Sequence, residues 1–400
     1  MFSDCFSTAR LWVIPFVVVV LGTMSAPPAM AEYQGSVLYA ATAPPNFIHQ
    51  NPPIFPVTAP QAAGGGQVVG EASDVVTSGF THAFVWKSDG TPVDLHSNQA
   101  IGFLNSSAIG TNGSQQVGTA WNNNPSGPND TSAVMWNGSA SSVVNLAPTL
   151  LPNIHESQAT VTSGNQQLGL GSAAAGSLNH ALLWFGTAES ARDLNPAGFD
   201  ASEAVATNGT SQVGDAGITG GGAHAMLWSG TAASAIDLHP TNLGLIDNSK
   251  ANGISPDGSE QVGSASGPGT GGNSHAILWR GAADTAVDIE PTNLPGLAGA
   301  FAVATNGEFQ VGEGDFGNSR HILLWNNGDP NTVTDLSALL TKSYWTTHVY
   351  SIDAAGNVFA LGQTSLYGWD AIEWSPAVPE PASVVVLGIA GIAALRRRRV

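Results

Sequence analysis

The sequence predicts an all-β protein, a seven-bladed β-propeller, and three observations predict it. A short apolar strand motif returns at intervals of 44 to 51 residues, a second motif travels with it, and each unit resolves into four short strands separated by turn residues. A period of this size marks supersecondary units that must bury their faces against one another. The first motif reads H-A-x-x-W. It runs from His82 to Trp86, returns with Ser132 in the histidine place before Trp136, and recurs as His180 to Trp184, His224 to Trp228, His275 to Trp279 and His321 to Trp325. A degenerate form, Ala371-Ile372-Glu373-Trp374, ends the series.

The second motif, Q-x-V-G and its variants, ends at Gly70, Gly118, Gly169, Gly214, Gly263, Gly312 and Gly362, a dozen or so residues before each tryptophan motif. Seven of each make seven units. In the middle units an alternating run enters Asn112-Gly113, Asn208-Gly209, Asp257-Gly258 or Asn306-Gly307, and the Q-x-V-G segment follows. Asn-Gly and Asp-Gly in that setting are hairpin signals, with positive φ expected at both turn residues. A fourth strand is written Val93-Asp94-Leu95, Val144-Asn145-Leu146, Arg192-Asp193-Leu194, Ile236-Asp237-Leu238, Val287-Asp288-Ile289 and Thr334-Asp335-Leu336. Four short antiparallel strands in each of seven units suit radial closure, which protects strand edges. The last unit lacks its D-L strand, and the strand-like run Gly35 to Ala40 stands ready to complete it. An open β-solenoid is the rival, although a unit of about 49 residues is long for one solenoid coil.

The domain plan is a signal peptide over 1–31, an N-terminal strand with a Pro-rich segment over 32–61, the repeats over 62–375 and a C-terminal signal over 376–400. Arg10, the apolar run Leu11 to Gly22 and Ala29-Met30-Ala31 have the form of a cleaved export signal. The only cysteine, Cys5, lies in the part discarded, so the exported chain holds no disulfide. Between residues 32 and 378 there are 6 lysines and arginines against 27 acids, a balance of −21 that argues against nucleic acid as a partner. No D-x-D-x-D-G loop marks a calcium site, and no cofactor is expected. At the far end Pro379-Glu380-Pro381 precedes the apolar run Ala382 to Leu395 and Arg396-Arg397-Arg398-Arg399. As a transmembrane helix those 14 residues rise about 21 Å against a core of roughly 30 Å, which fits a sorting signal better than a permanent anchor. The arginines would hold that end at the cytoplasmic face.

The last 22 or so residues resemble the PEP-CTERM sorting signal of Gram-negative bacteria, and residues 62 to 374 resemble the HAF-repeat extracellular proteins, named for the motif seen at His82-Ala83-Phe84. Unit two departs from the repeat at Ser132, unit six lacks the alanine, and unit seven lacks the histidine and the usual spacing. The resemblance implies export, processing by signal peptidase and an inner-membrane exosortase, transient membrane tethering, and a cell-surface or extracellular life associated with exopolysaccharide, biofilm or floc formation. It implies no reaction.

The repeated residues read first as scaffold. His82, His180, His224, His275 and His321 occupy equivalent places, which admits a multi-histidine metal site on the axis or one turn-bonding histidine per unit, and the second is favoured. Trp86, Trp136, Trp184, Trp228, Trp279, Trp325 and Trp374 suit the wedge between blades. The recurrent Asp94, Asp193, Asp237, Asp288 and Asp335, with Asn145 in unit two, suit Asx turns. The aromatics that break the repeat, Trp121, Tyr344, Trp345, Tyr367 and Trp369, are the candidates for stacking on a glycan. No G-x-S-x-G, H-E-x-x-H or Walker segment occurs. The expected function is a structural or glycan-binding matrix protein, monomeric, contacting extracellular polysaccharide and without catalysis; the alternative is an extracellular polysaccharide hydrolase or lyase with a unique pair of acids, one of raised pKa.

Overall fold

The structure is a computed structural model. It describes residues 33–41, 58–64, 67–73, 80–97, 99, 102–122, 131–173, 177–317, 319–344, 346–365 and 368–376. The signal peptide, Pro379 to Pro381, the apolar run and Arg396 to Arg399 lie outside them. Among the described residues no helix is long and apolar enough to cross a membrane, and the expected transmembrane helix over Ala382 to Leu395 lies outside them.

Seven four-stranded antiparallel sheets form the propeller. The chain opens with β1 (Tyr33–Ala41), then enters blade one through β2 (Thr58–Gly64), β3 (Gln67–Ser73), β4 (Thr81–Trp86) and β5 (Pro92–Asp94). Blade two holds β6 (Asn105–Thr111), β7 (Gln116–Trp121), β8 (Thr131–Trp136) and β9 (Val144–Asn145). Blade three holds β10 (Glu156–Ser163), β11 (Gln166–Ser172), β12 (His180–Trp184) and β13 (Arg192–Asp193). Blade four holds β14 (Ala201–Thr207), β15 (Gln212–Gly217), β16 (Ala223–Trp228) and β17 (Ile236–Asp237). Blade five holds β18 (Asn248–Ile254), β19 (Gln261–Ser266), β20 (His275–Trp279) and β21 (Val287–Asp288). Blade six holds β22 (Gly299–Thr305), β23 (Phe309–Asp315), β24 (Arg320–Asn326) and β25 (Thr334–Asp335). Blade seven takes β26 (Thr346–Ile352), β27 (Val358–Ser365) and β28 (Gly368–Pro376) from the C-terminal end, and β1 pairs with β28 as its fourth strand. Closure therefore joins the two ends of the repeat region in one sheet.

Each first strand carries a register shift at the same place, between Ala108 and Gly110 in blade two and between Ala204 and Ala206 in blade four. This bulge explains the glycine of Q-x-V-G. A Cβ on Gly118, Gly169, Gly214, Gly263 or Gly312 would stand within 2.0 Å of a carbonyl oxygen of the first strand. Gly214→Ala is thus expected to overpack blade four and to cost about 1–3 kcal/mol, read as a lower urea midpoint at unchanged slope. An unshifted midpoint would remove this account of the motif.

The turns and blade seven differ from what the sequence predicts. Gly113, Gly209, Gly258 and Gly307 have positive φ, but the preceding Asn112, Asn208, Asp257 and Asn306 do not. The turn is a wider loop in which Asn112 Oδ1 accepts the N–H groups of Ser114 and Gln115, so asparagine is selected for its side-chain oxygen. In blade seven Asp370, not a gap, takes the histidine place. Trp374 pairs with Val358 and Asp370 with Gly362, as Trp86 pairs with Val68 and His82 with Ala72, so the spacing there is regular and Ala360 stands where the other blades have glycine.

Candidate functional site

Most repeated polar residues are consumed by the scaffold. All seven motif tryptophans are fully buried. The indole N–H of Trp184 donates to Leu146 O at 2.8 Å, that of Trp325 to Ile289 O at 2.7 Å and that of Trp374 to Leu336 O at 2.9 Å, each reaching the end of the preceding blade's fourth-strand segment. The histidines pair within their own blades: Nδ1 of His82, His180, His224, His275 and His321 lies 2.7–2.9 Å from Oδ2 of Asp94, Asp193, Asp237, Asp288 and Asp335. The other oxygen of each aspartate accepts a backbone N–H two residues on, as Asp193 does from Asn195. In blade two both halves of the pair change together, to Ser132 and Asn145, and Asn145 keeps the Asx bond to Ala147. Among the described residues no group of three or more metal-ligating side chains is placed to hold an ion.

Two inter-blade clasps were not read from the sequence. Ser106, Ser157, Ser202 and Ser249 each accept the N–H of the alanine of the preceding blade's H-A-x-x-W or S-A-x-x-W strand. On the opposite face Gln116, Gln167 and Gln212 donate through Nε2 to Gln67, Gln115 and Gln166, and Thr111, Thr162 and Thr207 donate to the same three oxygens. Their signal was recurrence at a fixed offset, but the bonds join units rather than residues within one.

Blades one and four add a second histidine. His96 stacks on His82 at 4.2 Å and His239 on His224 at 4.0 Å, with their Nδ1 atoms bonded to the hydroxyls of Ser106 and Ser249. Burial, then the neighbouring His82, pushes His96 down to about 4 against the pull of Asp94. Burial and His224 lower His239 likewise. Both folded pKa values lie below the ordinary 6.5, so between that pH and about 4 the unfolded chain binds protons the native one refuses. Stability is therefore expected to fall as pH drops through this window. Asn195 fills the same place in blade three, so a His96→Asn, His239→Asn double variant should flatten urea midpoints measured from pH 7 to 4.5; an unchanged slope would assign the acid sensitivity elsewhere.

The first strand of every blade is an edge strand of its sheet, and those of blades two to seven line an axial channel of about 850 Å³. The bulges push Ile109, Thr160, Val205, Asn252, Val303 and Tyr350 into its wall. Among the described residues lining it, the charged ones are Lys250 and Asp353. Lys250 Nζ lies 2.5 Å from Glu203 Oε2 and 3.0 Å from Asp215 Oδ1. Burial works to lower this ammonium, but Asp215 and Glu203 outweigh it and hold it above the usual lysine range. Burial raises Asp215, with Lys250 opposing. Burial also raises Glu71, with Ser107 opposing, and pushes Tyr350 up to about 12 with help from Glu313. Glu313, only 4% exposed in its side chain, holds Arg320 and His348 at 3.3 Å each.

Trp121 ends β7 and lines a cleft of about 370 Å³ between blades two and three. Tyr344 is half-buried and donates from its hydroxyl to Asp370 Oδ2 at 3.0 Å, beside Lys342 Nζ at 2.5 Å. Burial, and then Asp370, raises its pKa. Trp369 pairs through its backbone with Gln363 and Ala41. Trp345 and Tyr367 lie outside the described residues. The aromatic candidates of blade seven are thus represented among described side chains by Tyr344, which is engaged with a carboxylate.

No family model matches the sequence, and no curated protein is similar to it at a significant level. Solved structures do match. The β-propeller domain of the Trilobed protease from Pyrococcus furiosus, which has an open velcro topology, is 9% identical with a TM-score of 0.52, over 81% of this chain and 100% of that one. Puromycin hydrolase is 10% identical with a TM-score of 0.51, over 79% of this chain and 51% of its own. A serine-to-alanine mutant of puromycin hydrolase complexed with PGG is 11% identical with the same TM-score and coverage. The chain spans about half the length of puromycin hydrolase.

The likeness establishes the fold. The expectation of a structural or glycan-binding matrix protein without catalysis draws no support from that likeness, which at 9–11% identity is one of fold. The similar propellers belong to a protease and a hydrolase rather than to matrix proteins. The polysaccharide hydrolase considered as an alternative shares only hydrolysis with them.

Proposed function

We propose that this chain works in the hydrolysis of peptide-like substrates, as the propeller module that admits an extended chain along its axis. The observation that carries the reading is the channel of about 850 Å³ bounded by edge strands. An edge strand offers a row of backbone N–H and C=O groups that no sheet neighbour takes, which is how extended peptides are commonly held. The described wall side chains are uncharged apart from Lys250 and Asp353, so side chains of varied sequence fit while the backbone is gripped. Likeness to propellers of a protease and of puromycin hydrolase supports the reaction class. The coverage of about half of puromycin hydrolase supports a division of labour in which a further catalytic unit completes the site. The N-terminal export segment and the C-terminal Pro379-Glu380-Pro381 signal support delivery through the exosortase route, to the cell surface or beyond.

The test is retention and cleavage of peptides by the purified full chain. Extended peptides of mixed sequence are expected to bind, and new amino termini to form when the chain's own hydrolytic partner is supplied from the producing cells. A Val205→Trp, Val303→Trp variant, which narrows the channel from two sides, should lose both effects. Peptide binding that survives the narrowed channel, or no peptide binding by the parent chain, would sink the reading.

A further inference from the structure

We propose that the cleft between blades two and three binds a cationic side chain, arginine or lysine, of a peptide. The inference rests on the peptide-handling reading and names what this site selects. The cleft of about 370 Å³ is lined by Thr119, Trp121, Glu156, Gln158 and Asn179 among others. Gln158 holds the place in its strand that Lys250 and Phe301 of the channel wall hold in theirs.

Three features set this place apart from its equivalents in other blades. Where β7 ends in Trp121, the matching residues of the other second strands are Ser73, Ser172, Gly217, Ser266, Asp315 and Gln363. One blade alone therefore places an indole at this position. Glu156 begins β10 where blades two and five begin with Asn105 and Asn248, and those asparagines accept the N–H groups of Thr81 and Ala223. Glu156 makes no such bond to Thr131, and its carboxylate has no hydrogen-bond or ion-pair partner among the described residues. Thr119 is only 7% exposed, yet its Oγ1 has no hydrogen-bond partner among the described residues. A buried hydroxyl left unpaired beside a cleft is a cost that a ligand donor or acceptor removes.

The chemistry matches a guanidinium or ammonium. An indole face attracts a cation through its quadrupole, and an unpaired carboxylate accepts charge-assisted hydrogen bonds from it. Thr119 Oγ1 and the amides of Gln158 and Asn179 supply further partners. The formal charge of −18 steers cations toward the surface as a whole. A neutral sugar would use the indole, the amides and a hydroxyl bond to Glu156, but it gains no ionic attraction from that carboxylate.

Isothermal titration of the full chain decides it. Nα-acetyl-arginine amide is expected to bind at least tenfold more tightly than its uncharged isostere Nα-acetyl-citrulline amide, with affinity falling as salt rises. Glu156→Gln and Trp121→Ala should each cost about tenfold, Trp121→Phe less than threefold, and thermal melts should show all three folded. The Val205→Trp, Val303→Trp variant should keep the arginine probe while losing long peptides. Equal binding of arginine and citrulline probes, an undiminished affinity in Glu156→Gln, or displacement by maltoheptaose would each overturn the proposal. Uncharged peptides that enter the channel while the arginine probe fails to bind would remove the cleft and leave the proposed function; an arginine probe that binds while no peptide enters the channel would do the reverse.

Discussion

Deleting residues 33–41 is expected to unlock the propeller, not merely to shorten it. β1 is the fourth strand of blade seven, paired along its length from Tyr33 with Pro376 to Ala41 with Trp369. Tyr33 is 6% exposed, donates its hydroxyl to Gly356 O at 3.1 Å and meets Phe309 of blade six edge-on at 6.3 Å. Burial, with Glu308 and Asp353, pushes its phenol up to about 12. Gly35 lies so close to Trp374 that a Cβ there would stand 2.8 Å from the indole nitrogen. Losing a buried aromatic alone costs about 3–5 kcal/mol, and the ladder hydrogen bonds add about 1 kcal/mol each. The deletion also bares the edge of β28, a template for pairing with another chain. The expected result is a much lower melting temperature, early proteolysis within blade seven and self-association on size exclusion. A monomer that melts where the parent does would show that closure contributes little.

Trp184→Ala is the second large effect. The side chain is fully buried in a cluster with Val117, Ala133, Leu146 and Ala159 of other strands, which makes it a wedge between blades two and three. Truncation loses the transfer free energy of the ring and leaves a cavity that neighbouring sheets cannot close, at about 3–5 kcal/mol. It also leaves Leu146 O without the indole donor at 2.8 Å. With an unfolding entropy of about 2.1 cal/mol/K per residue, the melting temperature should drop by roughly 4–7 °C. Trp228, whose indole nitrogen is buried without a partner among the described residues, provides the comparison. Trp228→Phe should cost less than Trp184→Phe, because only the second breaks a hydrogen bond; equal costs in chemical denaturation would leave packing as the whole explanation.

The blade count and strand order were legible because each blade repeats the same solution to the same problem. Trp86 through Trp374 recur because every wedge needs a large ring, and Asp94 through Asp335, with Asn145 in blade two, because the fourth strands of blades one to six end in an Asx turn. The Gly35 to Ala40 run was legible as a closing strand because the last unit was one strand short. Asp370 was missed because its chemistry changed. Blade seven has no aspartate on β1, where Val37 faces Ile372, so Asp370 at the histidine place turns to Lys342 and Tyr344 instead.

The site was less legible. Trp121 stood out because it breaks the repeat, but nothing in the chain order joins it to Glu156, thirty-five positions on and in the next blade. The polar clasp of Gln116, Gln67 and Thr111 was hidden for the same reason. The sequence alone determined how many blades there are, which strands compose them and which residues fill the wedges, since those demands are local to one unit and repeat with it. Tertiary structure alone decided where the bulges aim Ile109 to Tyr350, which carboxylates Lys250 holds, and which hydroxyl is left unpaired beside Trp121. These are meetings between neighbouring blades, fixed by radial packing and by the direction in which each strand turns its side chains, and spacing along the chain does not record them.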